Sequence, residues 1–373
     1  MTKINIVLSA FLWLFAINTN AQSYQIEVDF NNVKDDKVKV TVHVPETESN
    51  QVTYIMPAVI PGSYSKKDYG RFINDFKPFA PDNMELNYTQ KGNNVFVIES
   101  SGSLQKIEYW VDDTWDADLE DNYIFQPGGT NIKEENNFVI NHQGFYGYLE
   151  GMKMLPYEVT YHRPEGMFAV TSLDYDYHPK KDVVKSASYV EIVDSPVMIA
   201  KSDTASFMSG NMNVRVSVYS EKGAVRADSI VNYLLPLGDA LESFFGELPV
   251  DHYDFIFYFA DFESPEAENG SWGALEHSYS SFYFIPEFPP GERLQSMVRD
   301  IAAHEFLHIL TPLNLHAEEI AYFDFRDPEM SQHLWLYEGV TEYFASLSQL
   351  YSGLIDEMEM MEVIEDKIIN ASE

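Results

Sequence analysis

The sequence predicts two folded units in series: an antiparallel β-sandwich-like unit over residues 22–195 and a mixed α+β unit over residues 196–373. Three observations carry that expectation. Short runs of alternating apolar and polar residues, split by Gly, Pro and Asn, fill the first half of the chain. From about residue 200, strand-like runs begin to alternate with longer amphipathic stretches. A segment of helical period in the second half carries His304-Glu305-Phe306-Leu307-His308, an H-E-x-x-H pattern.

The elements follow in chain order. Residues 1–3 carry one Lys, residues 4–17 are almost wholly apolar, and a short polar flank ends at Ala21. That is the pattern of a secretory signal peptide cleaved after Ala21, with an apolar stretch short for a membrane anchor. Export, as to a bacterial periplasm, without stable membrane insertion after cleavage, is the expectation. Residues 24–30, 37–44 and 95–98 alternate with period two, and residues 138–148 and 157–162 extend the β pattern. Asn31-Asn32, Pro61-Gly62, Gly92-Asn93-Asn94 and Pro127-Gly128-Gly129 supply the turns between them. In the second unit, residues 214–219 and 253–259 read as strands and residues 229–245 as an amphipathic helix. Trp272-Gly273-Ala274-Leu275-Glu276-His277-Ser278 leads into the aromatic run Tyr279, Phe282, Tyr283, Phe284 and reads as a strand entered through small residues. Residues 297–308 and 334–345 read as helices.

Composition narrows the function. Hydrophobic residues make up 45% of the chain and aromatics 14%, enough for large cores. There is no Cys, so neither disulfides nor a lipid-bearing cysteine anchor contributes. The formal charge of −35 sets the chain against nucleic acid and anionic membrane surfaces, whose phosphates it would repel. The acidic run 116–121 lacks the spacing of a calcium-binding loop.

On a helix, positions i and i+4 share a face, so His304 and His308 are placed to grip one zinc ion. Glu305 beside them is placed to take a proton from a zinc-activated water and pass it to a leaving amine. The third ligand separates the zincin classes. A metzincin needs Gly and His where this chain has Thr311 and Asn314. A gluzincin takes a Glu from a later helix, and Glu338 is the leading candidate, with Glu342 one turn on able to orient a ligating His. Asp327 is the competitor, although its Asp-Pro step reads as a turn. His316 and His333 read as loop or helix-cap residues. Gly273 and Ala274 would let a substrate backbone approach the strand edge. Glu276 would then be free to bind a substrate's α-ammonium group; an edge strand with one surface Glu is the alternative.

Gly273-Ala274-Leu275-Glu276-His277, His304-Glu305-Phe306-Leu307-His308 and Leu334-Trp335-Leu336-Tyr337-Glu338-Gly339-Val340-Thr341-Glu342-Tyr343-Phe344 resemble the glycyl aminopeptidase family of zinc gluzincins, distant relatives of aminopeptidase N. Residues 56–64 and 68–73 resemble that family's N-terminal domain. The resemblance spans the chain from about residue 25 to its end. It implies an N-terminal β domain, a thermolysin-like catalytic domain and usually a C-terminal PDZ domain. It also implies one Zn2+ per chain, held by His304, His308 and Glu338, with Glu305 as the base and Glu276 on the substrate amine. Removal of small N-terminal residues (Gly, Ala) from peptides is the implied activity. Two departures stand out. Residues 309–315 lack the basic stretch of many members, and Pro312 is expected to end the helix just past the ligands. The chain also ends before the further helices a thermolysin-like domain needs, so that domain is expected to be incomplete at its C-terminus. A zinc endopeptidase and a non-catalytic zinc-containing peptide-binding protein are the alternative readings.

Overall fold

The computed structural model describes residues 22–370, apart from residues 64, 101, 118, 120, 121, 269 and 270. The expected signal peptide and its cleavage point lie outside the described residues, as does part of the acidic run 116–121.

Period-two alternation builds the first unit. Strand Lys37–His43 buries Val38, Val40 and Val42 and leaves the residues between them half-buried. Strand Lys106–Asp112 does the same with Ile107, Tyr109 and Val111. Both belong to a seven-stranded sheet. Two four-stranded sheets complete the unit. One continuous core draws on all three sheets, through residues such as Val40, Tyr54, Phe96, Phe138 and Ile199.

Three details differ from expectation. Strand Tyr24–Lys34 runs parallel to Tyr157–His162, with Tyr24 opposite Tyr157, so the unit is not purely antiparallel. Side chains alternate with period two in either kind of ladder, so the pattern does not report strand direction. The stretch 138–148 is not one strand extension. It comprises strand Asn137–Ile140, a helical turn His142–Phe145 and a two-residue strand Tyr148–Leu149. Strand Val197–Ala200 pairs with both Asn137–Ile140 and Phe168–Val170, which carries the first unit's sheets past the expected boundary at 195.

The second unit is a five-stranded mixed sheet with helices. Its three central strands, Met212–Ser220, His252–Ala260 and Ser280–Pro286, are parallel. Antiparallel strands flank them, Asp203–Ser209 at one edge and Gly273–Glu276 at the other. The longer helices are α1 (Ala227–Phe245), α2 (Glu292–Leu307), α3 (Thr341–Ser352) and α4 (Glu357–Asn370). Parallel strands need a crossover, and α1 supplies one between Met212–Ser220 and His252–Ala260. Its apolar stripe, Ile230, Leu234, Leu237 and Leu241, is buried. The run His252–Ala260 is continuously apolar because both of its faces are covered. Phe255 and Phe257 pack toward Leu234, Val298 and Phe306. On the other face Ile256 and Tyr258, with Phe282 and Phe284, pack on Trp115, Val139 and Met198 of the first unit. The two units therefore share a core, and the edge strand Gly273–Glu276 lies where they meet.

Candidate active site

Helical period brings the two histidines together. His304 lies in the last turn of α2, and His308 follows its end with the backbone still in the helical region (φ −61°, ψ −19°). Their Nε2 atoms are 3.0 Å apart. The opposite face of α2 buries Leu294, Val298, Ala302 and Phe306. The backbone after His308 closes in tighter turns, and Pro312, without an N–H, lies beyond the helix as expected.

Each imidazole is oriented from behind. His304 Nδ1 lies 2.7 Å from Glu342 Oε2, and His308 Nδ1 lies 3.0 Å from the Thr311 carbonyl. Both acceptors call for a proton on Nδ1, so that each Nε2 faces the shared space, where it can bind a cation in place of a proton. Glu338 closes the third side, its Oε2 3.3 Å from His304 Nε2 and 3.9 Å from His308 Nε2. Two imidazole nitrogens and one carboxylate oxygen, within 4.8 Å of one another, make a donor set that fits zinc of the gluzincin type.

Glu338 stands on a π-helical turn, Trp335–Val340, that runs directly into α3. That turn changes the helix that residues 334–345 predict. A uniform helical period makes Trp335, Leu336, Val340, Tyr343 and Phe344 able to face a core. Trp335, Tyr343 and Phe344 are instead exposed, and Tyr337, Thr341 and Ala345 face inward. A residue inserted into the helical ladder rotates the following side chains by about 100°, so a uniform period assigns the wrong face.

The electrostatics are those of an acidic, partly dry cleft. Glu305 is 7% exposed. Burial, reinforced by the negative charge of Glu276, pushes its carboxyl up to about 8. Ligating atoms of Glu276, Glu305 and His308 also lie within 4.8 Å of one another. Burial disfavours the charged form of His304, but Glu338 and Glu342 outweigh it and raise its pKa to about 10. The same negative field favours any cation placed between these groups. The bond from His304, against the opposing effect of burial, holds Glu342 down to about 2, with help from Lys367. Lys367 Nζ reaches Glu342 Oε1 at 2.9 Å from α4.

Gly273 and Ala274 lie on the sheet edge with Glu276, half-buried. The segment expected to be one strand is a hairpin: Gly273–Glu276 pairs antiparallel with Ser280–Pro286, and Tyr279 is exposed between them. Asp327 lies in a turn whose backbone N–H groups bond Asp324 Oδ1, apart from the histidine pair. His316 Nδ1 bonds the Pro312 carbonyl, and the backbone N–H of His333 bonds Ser331 Oγ. Among the described residues, Asp36, Asp113 and Asp116 also gather, but Asp113 already accepts from the backbone of Trp115 and Ile132. Lys367 and the Thr311 carbonyl were not anticipated; neither carries a local sequence signal.

Residues 25–201 match the model of the peptidase M61 N-terminal domain, and residues 297–373 match that of M61 glycyl aminopeptidase. Among solved structures, the chain is similar to an aminopeptidase N family protein from Idiomarina loihiensis. The TM-score is 0.74 at 19% identity, over 90% of this chain and 56% of that one. The chain thus spans little more than half the length of that relative. A variant M1 zinc metallopeptidase from Deinococcus radiodurans, bound to a Tyr-Ser-Ala substrate, matches at 12% identity over 94% of this chain and 74% of that one, with a TM-score of 0.49. No curated protein matches the chain significantly.

Proposed function

We propose, from the premise that the chain belongs to the M61 glycyl aminopeptidase family, that it is a zinc-dependent metallopeptidase which removes small N-terminal residues, Gly or Ala, from peptides. The observation that carries this reading is the convergence of His304, His308 and Glu338 beside a buried Glu305 and the half-buried Glu276. His304, His308 and Glu338 would hold the ion, one per chain. When bound, zinc supplies Lewis-acid polarisation of a carbonyl and makes a neighbouring water more acidic.

The chain's own residues do the rest. Glu305 accepts the proton of the attacking water and delivers it to the leaving amine. Burial and the charge of Glu276 raise its affinity for that proton, and the cation held beside it would oppose them. Among the described residues the strand Gly273–Glu276 has a strand partner on one side only, and its other edge is offered to the substrate backbone. Glu276 pairs with the substrate's free α-ammonium group and so measures one residue from the chain end to the scissile bond. Glu342 and the Thr311 carbonyl hold the imidazoles in the tautomer that presents Nε2. The leader over residues 1–21 would take the chain across a membrane. No described helix is long and apolar enough to cross one.

The test is hydrolysis of glycyl and alanyl substrates with free and acetylated N-termini, with and without a chelator. Chelator-sensitive cleavage of the free-amine set alone supports the reading. Cleavage of both sets means an endopeptidase, and zinc binding without cleavage of either means a peptide-binding protein. Glu305→Gln is expected to lose about 10²–10⁴-fold in turnover, the span of general acid–base catalysis, while still binding zinc. Unchanged turnover would remove Glu305 from the mechanism.

A further inference from the structure

The first unit reaches into this site through one glycine. Ile60-Pro61-Gly62-Ser63 forms a tight turn closed by the Ser63 N–H to the Ile60 carbonyl at 3.2 Å. Pro followed by Gly at the two central positions suits a turn that needs positive φ at the second, and Gly62 has φ +77°. The turn abuts the edge strand of the second unit. A methyl group at position 62 would stand 2.8 Å from Leu275 Cδ1, and 3.2 and 3.3 Å from the two carboxylate oxygens of Glu276. Leu275 is held from its other side, where a methyl on Gly128 would lie 3.4 Å from its Cδ2. Leu275 belongs to the core of the first unit although its strand belongs to the second.

The Glu276 carboxylate therefore stands between two walls. On one side are Glu305 and His308. On the other is the bare backbone of Gly62, where an added methyl would already stand 3.2 and 3.3 Å from the carboxylate oxygens. We propose that Gly62 is a positioning residue for Glu276: the absence of a side chain there leaves the carboxylate room to face the site, and the turn closes the cleft behind it. The inference rests on the aminopeptidase reading and deepens it. A peptide entering along the strand edge meets the carboxylate and then the turn, so its chain must begin at that point. Recognition of a free amine would thus be built jointly by a charge from the second unit and a steric stop from the first.

A side chain at position 62 would push the carboxylate by a few tenths of an ångström and crowd its oxygens. The readout is binding of an alanyl dipeptide to the zinc-loaded full chain by calorimetry, in a Glu305→Gln background that suppresses turnover. Glu276→Gln is expected to raise Kd at least tenfold and Gly62→Ala about tenfold, in keeping with the cost of small misplacements in a site. Combined with Glu276→Gln, Gly62→Ala should add little, because its effect runs through that carboxylate. Gly92→Ala is the control, since Gly92 shares the positive φ (+62°) but has open space where the methyl would go. If Glu276→Gln leaves Kd unchanged, the amine-recognition reading falls and the inference falls with it. If Glu276→Gln weakens binding but Gly62→Ala does not, or if Gly62→Ala is equally damaging without Glu276, the inference alone is overturned. Should Gly62→Ala lower the melting temperature well beyond the Gly92→Ala control, the pair Leu275→Ala/Gly62→Ala is compared with Leu275→Ala alone. That pair removes the contact at 2.8 Å and keeps the two to the carboxylate. A tenfold difference supports the role, and no difference ends it.

Discussion

Glu342 binds both ways: one oxygen accepts from His304 Nδ1 and the other holds Lys367 Nζ. Removing the carboxylate frees the imidazole to rotate and lowers its basicity. Glu342→Ala is expected to weaken zinc affinity by about 10–100-fold, the usual span for an orienting partner. Competition against a chelator measures it, and unaltered affinity would refute the role. A second telling residue, His142, belongs to the first unit. His142 is fully buried, with its Nε2 2.9 Å from the Ser195 carbonyl and its Nδ1 paired with the Tyr146 hydroxyl. Burial holds its pKa down to about 3, from the usual 6.5 of a histidine, against the raising effect of that carbonyl. The unfolded chain therefore binds the proton more readily than the folded one. The stabilisation this represents is present above pH 6.5 and is lost as pH falls toward 3. Its ceiling is on the order of 5 kcal/mol. The urea stability of His142→Asn should fall less steeply than that of the parent chain across this window. Parallel curves would show that His142 does not report the acid sensitivity.

At the scale of elements, α2 does two jobs with two faces. Leu294, Val298, Ala302 and Phe306 fasten it to the sheet, while His304 and His308 point away into the cleft. Leu294 is fully buried, near the helix start and remote from the ligands. Leu294→Ala should cost about 2–5 kcal/mol of stability through the cavity it leaves. Zinc affinity of the folded protein should barely change. A large loss of affinity would mean that α2 transmits packing to the site. The sequence was readable here because both faces follow one period over a long uninterrupted helix. It was less readable over residues 334–345, where the π-helical turn shifts the period and presents Glu338 while exposing Trp335. The hairpin Gly273–Glu276/Ser280–Pro286 was likewise half-legible: its small residues and its edge position were inferred, but its turn carries no Gly or Pro at residues 277–279 to announce it.

For the whole molecule, the question is how a charge of −35 and two units hold one cleft in register. Part of the answer is the shared apolar cluster around Trp115, Tyr258 and Phe284. Another part is a nearly buried ionic bridge. Lys133 of the first unit lies 2.7 Å from Glu221 and 2.9 Å from Glu266 of the second, and those carboxylates are 8% and 6% exposed. The Tyr258 hydroxyl donates to the same Glu221 oxygen at 2.8 Å. Removing the cation leaves two carboxylates facing each other in a poorly solvated place. Lys133→Met is expected to destabilise the chain by about 3–5 kcal/mol, measured by chemical denaturation. A neutral result would mean that water reaches the carboxylates when the lysine is gone. The Gly62 contact depends on this same interface, since it places a turn of one unit against a side chain of the other.

By itself the sequence determined what local periodicity and residue chemistry encode. The i, i+4 histidines with Glu305 between them, the alternating strands, the turn at Pro61-Gly62 and the small residues before Glu276 all act over a few residues of chain. Only the tertiary structure decided which distant groups complete the site. It placed Glu338, rather than Asp327, beside the histidine pair, brought Lys367 behind Glu342, and set Gly62 against Glu276 from another unit. It also settled that Tyr24–Lys34 and Tyr157–His162 run parallel. The physical reason is common to all of these. Local pattern is written by backbone geometry, which repeats every two or 3.6 residues. Long-range juxtaposition is chosen by how whole faces pack, and no short stretch of chain records that choice.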